Sequence, residues 1–122
     1  MKNISTYIVC KEHIEEVKEF LKDFFEEEKG RYNHPEWLTF KLPKTDFEVN
    51  LIGGKDMKMT QNITFEINCE SMEELEKYSK KYGKKIENFL ATATGKPYQF
   101  YYIEIPGPQS ICKVDISYCK DE

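Results

Sequence analysis

Nowhere does this sequence sustain an apolar run of more than a few residues. A membrane-spanning helix needs about 20 consecutive apolar residues, so none is expected. The chain has 2 histidines, and its 4 cysteines include no Cys-x-x-Cys pair. Both scarcities argue against a zinc cluster, which needs such ligands closely spaced. Positive charge is also short, with 18 Lys and Arg against 22 Asp and Glu and a formal charge of −4. Nucleic-acid binding wants a basic face, so no nucleic-acid partner is expected. The opening residues Met1 to Thr6 lack a signal-peptide apolar stretch. The expectation is a soluble, cytoplasmic chain with reduced thiols, packed mostly as small hydrophobes.

Against these absences stands an internal repeat. Ile4 to Phe20 lies over Asn62 to Tyr78 at an offset of 58 residues. Thr6/Thr64, Glu12/Glu70, Glu15/Glu73, Glu16/Glu74 and Lys22/Lys80 are identical; Tyr7/Phe65, Val9/Ile67, Ile14/Met72, Val17/Leu75 and Phe20/Tyr78 keep their type. Such a period in 122 residues allows two copies, too few for a solenoid. The reading is a single domain, 1–122, made of two repeats of about 1–54 and 60–122, with any site between them.

Each half reads strand, helix, then two or three strands. Residues 4–10 are β-branched and aromatic, as a strand requires. Residues 13–28 switch to helical period, with Ile14, Val17, Leu21, Phe24 and Phe25 on one stripe and Gly30 as the stop. Alternation follows over 36–43 and 46–52, joined by a turn at Pro43–Asp46. The segment 53–60 reads as a linker, with Gly53-Gly54 as a flexible joint. In the second half a strand at 61–68 precedes a helix at 72–82. Ser71 and Glu74 have capping-box spacing, His13 occupies the equivalent of Ser71 as a weaker cap, and Gly83 ends the second helix. Strands are expected near 85–93, 98–106 and 111–119. Phe40–Pro43 resembles Ile103–Pro106 at offset 63, and Val49–Leu51 resembles Val114–Ile116 at offset 65. The growing offset means longer loops in the second half.

Side chains alternate across a strand, so one face of each sheet packs on its helix. The opposite face then carries Ile4, Thr6, Ile8, Cys10, Trp37, Thr39, Lys41, Glu48 and Asn50 in the first half. In the second it carries Asn62, Thr64, Glu66, Asn68, Phe100, Tyr102, Glu104, Lys113, Asp115 and Ser117. This face is polar and acidic, with aromatic patches at Trp37 and Phe100.

Tandem strand–helix–strand–strand–strand units of this length resemble the vicinal oxygen chelate superfamily, which includes glyoxalase I, extradiol dioxygenases and the fosfomycin- and bleomycin-resistance proteins. The resemblance covers essentially the whole chain. Its closest local match is Pro97-Tyr98, Phe100–Gly107 and Val114–Ile116, which look like a worn form of the family's aromatic strand, turn and carboxylate-bearing last strand. The resemblance implies an α+β fold of two tandem βαβββ modules whose curved mixed sheets surround a cleft, with helices outside. It implies a homodimer as well.

Metal-dependent members hold an ion with one residue on the first and one on the last strand of each half. Carried over by the repeat, those positions are Ile4, Asn50, Asn62 and Asp115. Isoleucine cannot ligate and asparagine is a weak neutral donor, so one competent carboxylate remains. The expectation is no metal and no cofactor at this place. The favoured reading is a small-molecule-binding protein like the drug-sequestering members. Trp37, Phe100 and Tyr102 would stack on a polar or cationic aromatic ligand; Glu48, Asn50, Asn62, Glu66, Lys113 and Asp115 would meet its polar groups. The alternatives are a glyoxalase-type lyase or isomerase with an unusual metal site, and a regulatory or scaffold subunit. No catalytic residue is assigned. His13 and His34 read as surface residues, and Cys10 as a packed cysteine rather than a reactive one.

Overall fold

The structure, a computed structural model, describes residues 2–28, 36–54, 62–93 and 95–121. The chain divides into two compact units. The first is Met1–Ile63 together with Gly107–Ile111, and the second is Thr64–Pro106 together with Cys112–Glu122.

The first unit holds a four-stranded sheet in the order β1-β4-β3-β2. Its strands are β1 (Ile4–Cys10), β2 (Glu26–Glu28), β3 (Trp37–Lys41) and β4 (Glu48–Gly54). β1 runs parallel to β4, with Tyr7 opposite Leu51, and the other pairings are antiparallel. Helix α1 (Ile14–Leu21) buries Ile14, Val17 and Leu21, and Val9, Phe40, Val49 and Leu51 are also buried. Phe40 and Leu51 go to the core while Trp37 and Ile4 do not, as alternation predicts, but Thr39, Glu48 and Asn50 on the opposite face are buried as well.

Two expectations are corrected here. The helix foreseen over 13–28 stops at Leu21, and Glu26–Glu28 forms an edge strand against Thr39–Lys41. Between them, Phe24 and Phe25 turn inward and are both buried, with their amides donating to the Leu21 carbonyl at 3.0 and 2.9 Å. Lys18 and Lys22 pair with Glu27 at 3.3 and 3.5 Å. Pairing with β3 and burial of two aromatic rings outweigh the helical preference of the Glu run, which amounts to a fraction of a kcal/mol per residue. Second, Gly53-Gly54 is no joint. Both residues end β4, paired with Val9 and Cys10. The Gly53 amide donates to the Glu36 carbonyl at 2.7 Å. A Cβ there would sit 3.1 Å from Ile14 Cδ1 and 3.4 Å from Lys11 Cα, so a larger residue would push the Ile14 side chain back by a few tenths of an ångström, and the close approach favours glycine. Residues 55–60, Gly30 and His34 lie outside the described residues.

The second unit repeats the order as β5-β8-β7-β6. Its strands are β5 (Ile63–Asn68), β6 (Glu87–Ala93), β7 (Lys96–Pro106) and β8 (Cys112–Asp121). Helix α2 spans Met72–Tyr82, as the sequence predicts. Ser71 Oγ accepts from the Glu74 amide at 3.3 Å, and Glu74 Oε2 accepts from the Glu70 amide at 3.2 Å. Gly83 closes the helix at φ 62°, a left-handed conformation suited to glycine. Phe65, Leu75, Ile103, Ile105, Val114 and Ile116 are buried on the helix side.

Candidate functional site

Alternation along β5, β7 and β8 sends a second set of side chains to the face opposite α2. There they line a pocket of about 320 Å³ within the second unit. Of the residues singled out by sequence, Glu66, Phe100, Tyr102 and Asp115 line it. Asn68, Phe89, Glu104 and Ser117 complete it. Asn68, Glu104 and Ser117 belong to the polar face already read from alternation. Phe89 was not foreseen. Its place depends on the register that sets it opposite Phe100 on the neighbouring strand.

One end of the pocket is aromatic. The rings of Phe89 and Phe100 stack with centroids 5.2 Å apart and 10° between planes. Tyr102 meets Phe89 edge to face at 5.8 Å. Phe89 is 50% exposed, so much of its ring is open to a stacking partner. The other end is acidic. Glu104 and Asp115 are opposed across β7 and β8, and Glu66 lies on β5. Between the two ends, Ser117 Oγ donates to Asn68 Oδ1 at 2.9 Å.

Burial raises the Asp115 carboxyl above the usual carboxylate range, against the lowering effect of the Lys113 ammonium, with the charges of Glu104 and Glu66 adding to the rise. Lys113 Nζ stands 3.6 Å from Asp115 Oδ2 and 3.4 Å from Glu104 Oε1. Asp115 Oδ1 is buried and, among the described residues, accepts no hydrogen bond. Lys113 supports the acidic end from outside the lining. Asn62 sits before β5 at φ 58° and is exposed; it is not among the lining residues either.

In the first unit, Trp37, Glu48 and Asn50 form a different arrangement. Asn50 Oδ1 accepts from Trp37 Nε1 at 3.1 Å and from Thr39 Oγ1 at 2.9 Å. Thr39, Glu48 and Asn50 are each no more than 3% exposed. Lys2 Nζ meets Glu48 Oε1 at 2.7 Å. These polar groups are satisfied inside their own unit, as buried polar groups must be.

That bonding also tests the metal positions implied by the resemblance. Ile4 offers hydrocarbon, Asn50 Oδ1 already accepts two hydrogen bonds, and Asn62 offers a neutral amide. Asp115 alone supplies an anionic oxygen. This donor set does not fit a divalent transition ion. Among the described residues, no group of three or more His, Cys, Asp or Glu is placed to hold a metal.

Two thiols of the second unit, Cys69 and Cys112, are buried. Burial pushes the Cys69 and Cys112 thiols up to about 11, with Glu74 adding to the effect at Cys69. A thiol held that high carries little thiolate at neutral pH and is a poor nucleophile.

No protein-family model matches the sequence, and no curated protein matches it either. Solved structures do match. A Bacillus anthracis protein assigned to the glyoxalase family aligns with a TM-score of 0.62 at 12% identity, over 98% of this chain and 95% of that one. Lactoylglutathione lyase from Agrobacterium tumefaciens aligns with a TM-score of 0.61 at 10% identity, over 97% and 92%. An antibiotic-binding protein from Streptomyces sp. CB03234 aligns with a TM-score of 0.58 at 9% identity, over 98% and 96%. At these identities the likeness speaks for architecture, and the two four-stranded sheets with their helices are the fold of the glyoxalase and bleomycin-resistance proteins.

Proposed function

We propose that this protein binds a small molecule with a flat aromatic part, in the pocket of the second unit and without a metal ion. One observation carries the reading. The stacked pair Phe89 and Phe100 floors a pocket of about 320 Å³, while the positions expected to ligate a metal hold mostly neutral or hydrocarbon groups. The volume falls within the range of small-ligand sites, which run from about 300 to 1,000 Å³. An offset or edge contact with an aromatic pair contributes about 0.5–1.5 kcal/mol beyond simple burial. The similarity of architecture to an antibiotic-binding protein agrees with this reading, as does the architecture's use outside catalysis.

The test is a titration of isotope-labelled protein, in excess chelator, with a panel of flat bicyclic aromatic compounds. Amide shifts are expected to cluster at Phe89, Phe100, Tyr102 and Asp115. Phe100→Ala is expected to weaken the best binder about tenfold, the loss of one buried ring contact. Binding that appears only after a divalent metal is added would overturn the metal-free reading and return the protein to the lyase class.

A further inference from the structure

The repeat offers two edge strands for comparison. β2 and β6 hold the same place, each at the end of its sheet order. β2 is blunted as edge strands usually are: it has 3 residues, all glutamate. β6 has 7 residues, Glu87–Ala93, with one charge at its start and neither lysine nor proline. It pairs with β7 along one side. Among the described residues no strand or backbone hydrogen bond reaches its other side. Every second residue of such an edge turns an amide and a carbonyl outward.

The side chains of β6 are bare as well. α2 packs over β7 and β8. Phe89, on the pocket face of β6, is 50% exposed, and Leu90, on the opposite face, is 59% exposed. Charge gathers where the chain enters the strand. In the first unit Lys11, Lys18, Lys22 and Lys41 each pair with a glutamate. Lys84 and Lys85, just ahead of β6, are exposed and in no ion pair among the described residues. The Lys84 amide donates to the Ser79 carbonyl at 3.0 Å, which ties this approach to the end of α2.

We infer that the free edge of β6 docks an extended acidic segment of another protein, added as a further strand antiparallel to β6. Main-chain hydrogen bonds supply the affinity, and apolar side chains of the segment cover Phe89 on one face and Leu90 on the other. The antiparallel direction carries the C-terminal end of the segment past Lys84 and Lys85, whose unpaired ammonium groups select carboxylates there. That charge decides the occupant. A second copy of β6, laid antiparallel, offers these lysines its own Thr94-Gly95-Lys96, which has no carboxylate. The inference stands apart from the pocket reading, because the backbone makes the ladder and Leu90 faces away from the pocket.

The probe is a fluorescein-labelled peptide, Thr-Val-Tyr-Val-Thr-Glu-Glu, titrated into the full chain at low ionic strength and followed by anisotropy. Versions ending in Gln-Gln and Lys-Lys, and one with proline in place of tyrosine, are compared with it. The Glu-ended peptide is expected to bind tightest, the Gln-ended one severalfold more weakly, the worth of two exposed ion pairs, and the Lys-ended one weakest. The proline version is expected not to bind, since proline cannot donate to a ladder. Hydrogen exchange is expected to slow at amides of β6 when the peptide is present. Leu90→Lys, a charge of the kind that guards other edges, is expected to weaken the peptide about tenfold while leaving the melting temperature and the binding of aromatic compounds in the pocket unchanged. Lys84→Gln combined with Lys85→Gln is expected to make the Glu- and Gln-ended peptides equal. A proline peptide that binds as well as the parent, or a Leu90→Lys variant that binds it undiminished, overturns strand addition at β6. A Lys-ended peptide as tight as the Glu-ended one overturns the acidic partner. A dimer in sedimentation that Leu90→Lys dissolves, with no peptide bound, assigns the edge to a second copy and overturns the inference.

Discussion

At the scale of single residues, Asp115 is where structure and chemistry conflict most. Its carboxyl is raised above the ordinary 3.8, chiefly by burial. A raised carboxyl means that the ionised form is less comfortable in the fold than in the unfolded chain. The cost is complete above the folded value and vanishes as pH falls toward 3.8. Asp115→Asn is therefore expected to raise the melting temperature at pH 7, with the gain closing as pH falls through that window. Differential scanning calorimetry across pH checks it. A variant that melts lower at pH 7 would mean that the Lys113 pairing outweighs desolvation. The sequence placed Asp115 on the correct face, along with Glu66, Phe100 and Tyr102, because alternation is a period of two and needs no tertiary information. Phe89 escaped because a face assignment for 87–93 depends on which residue of β7 each one opposes. That register is fixed between strands and is not written in either one.

At the scale of elements, the two helices are held in different ways. α1 buries Ile14, Val17 and Leu21, while its N-terminal flank makes no side-chain cap. α2 buries Leu75 alone and has both caps. With so little apolar anchorage, α2 relies on its ends. Ser71→Ala is expected to destabilise the protein by about 1 kcal/mol, the usual worth of an N-cap. Urea denaturation measures the loss, and hydrogen exchange should show it first in the amides of the first α2 turn; an unchanged midpoint would show that the cap contributes nothing. The caps of α2 were legible because they rest on local residues, Ser71, Glu74 and Gly83. The early end of α1 was not, because a Glu-rich segment favours helix until β3 offers it a ladder and the Phe24 and Phe25 rings find the core. Gly53 was misread for the same reason. A glycine at a loop and a glycine under a neighbouring side chain look alike until Ile14 is seen above it.

At the scale of the whole molecule, the repeat is clear but the chain does not divide where it ends. The connection Gly107–Ile111, which joins β7 to β8, belongs to the first unit. There the Ile63 amide donates to the Ile111 carbonyl at 3.2 Å, and both side chains are 3% exposed. Residues 1–63 alone would lack this segment. A unit of roughly 60 residues has about 3–9 kcal/mol of net stability, and burying one isoleucine is worth about 1.5–3 kcal/mol. Removing Ile111, with the hydrogen bond it accepts, takes away a large share of that margin. A fragment of residues 1–63 is therefore expected to lack a cooperative melt in circular dichroism, although its sequence contains a full copy of the repeat. A sharp transition in that fragment would show that the first copy is self-sufficient. The offset growing from 58 to 65 announced longer connections in the second half. Where such a connection packs depends on side chains such as Ile63, distant in the chain, and so it lies beyond what pattern and spacing can supply.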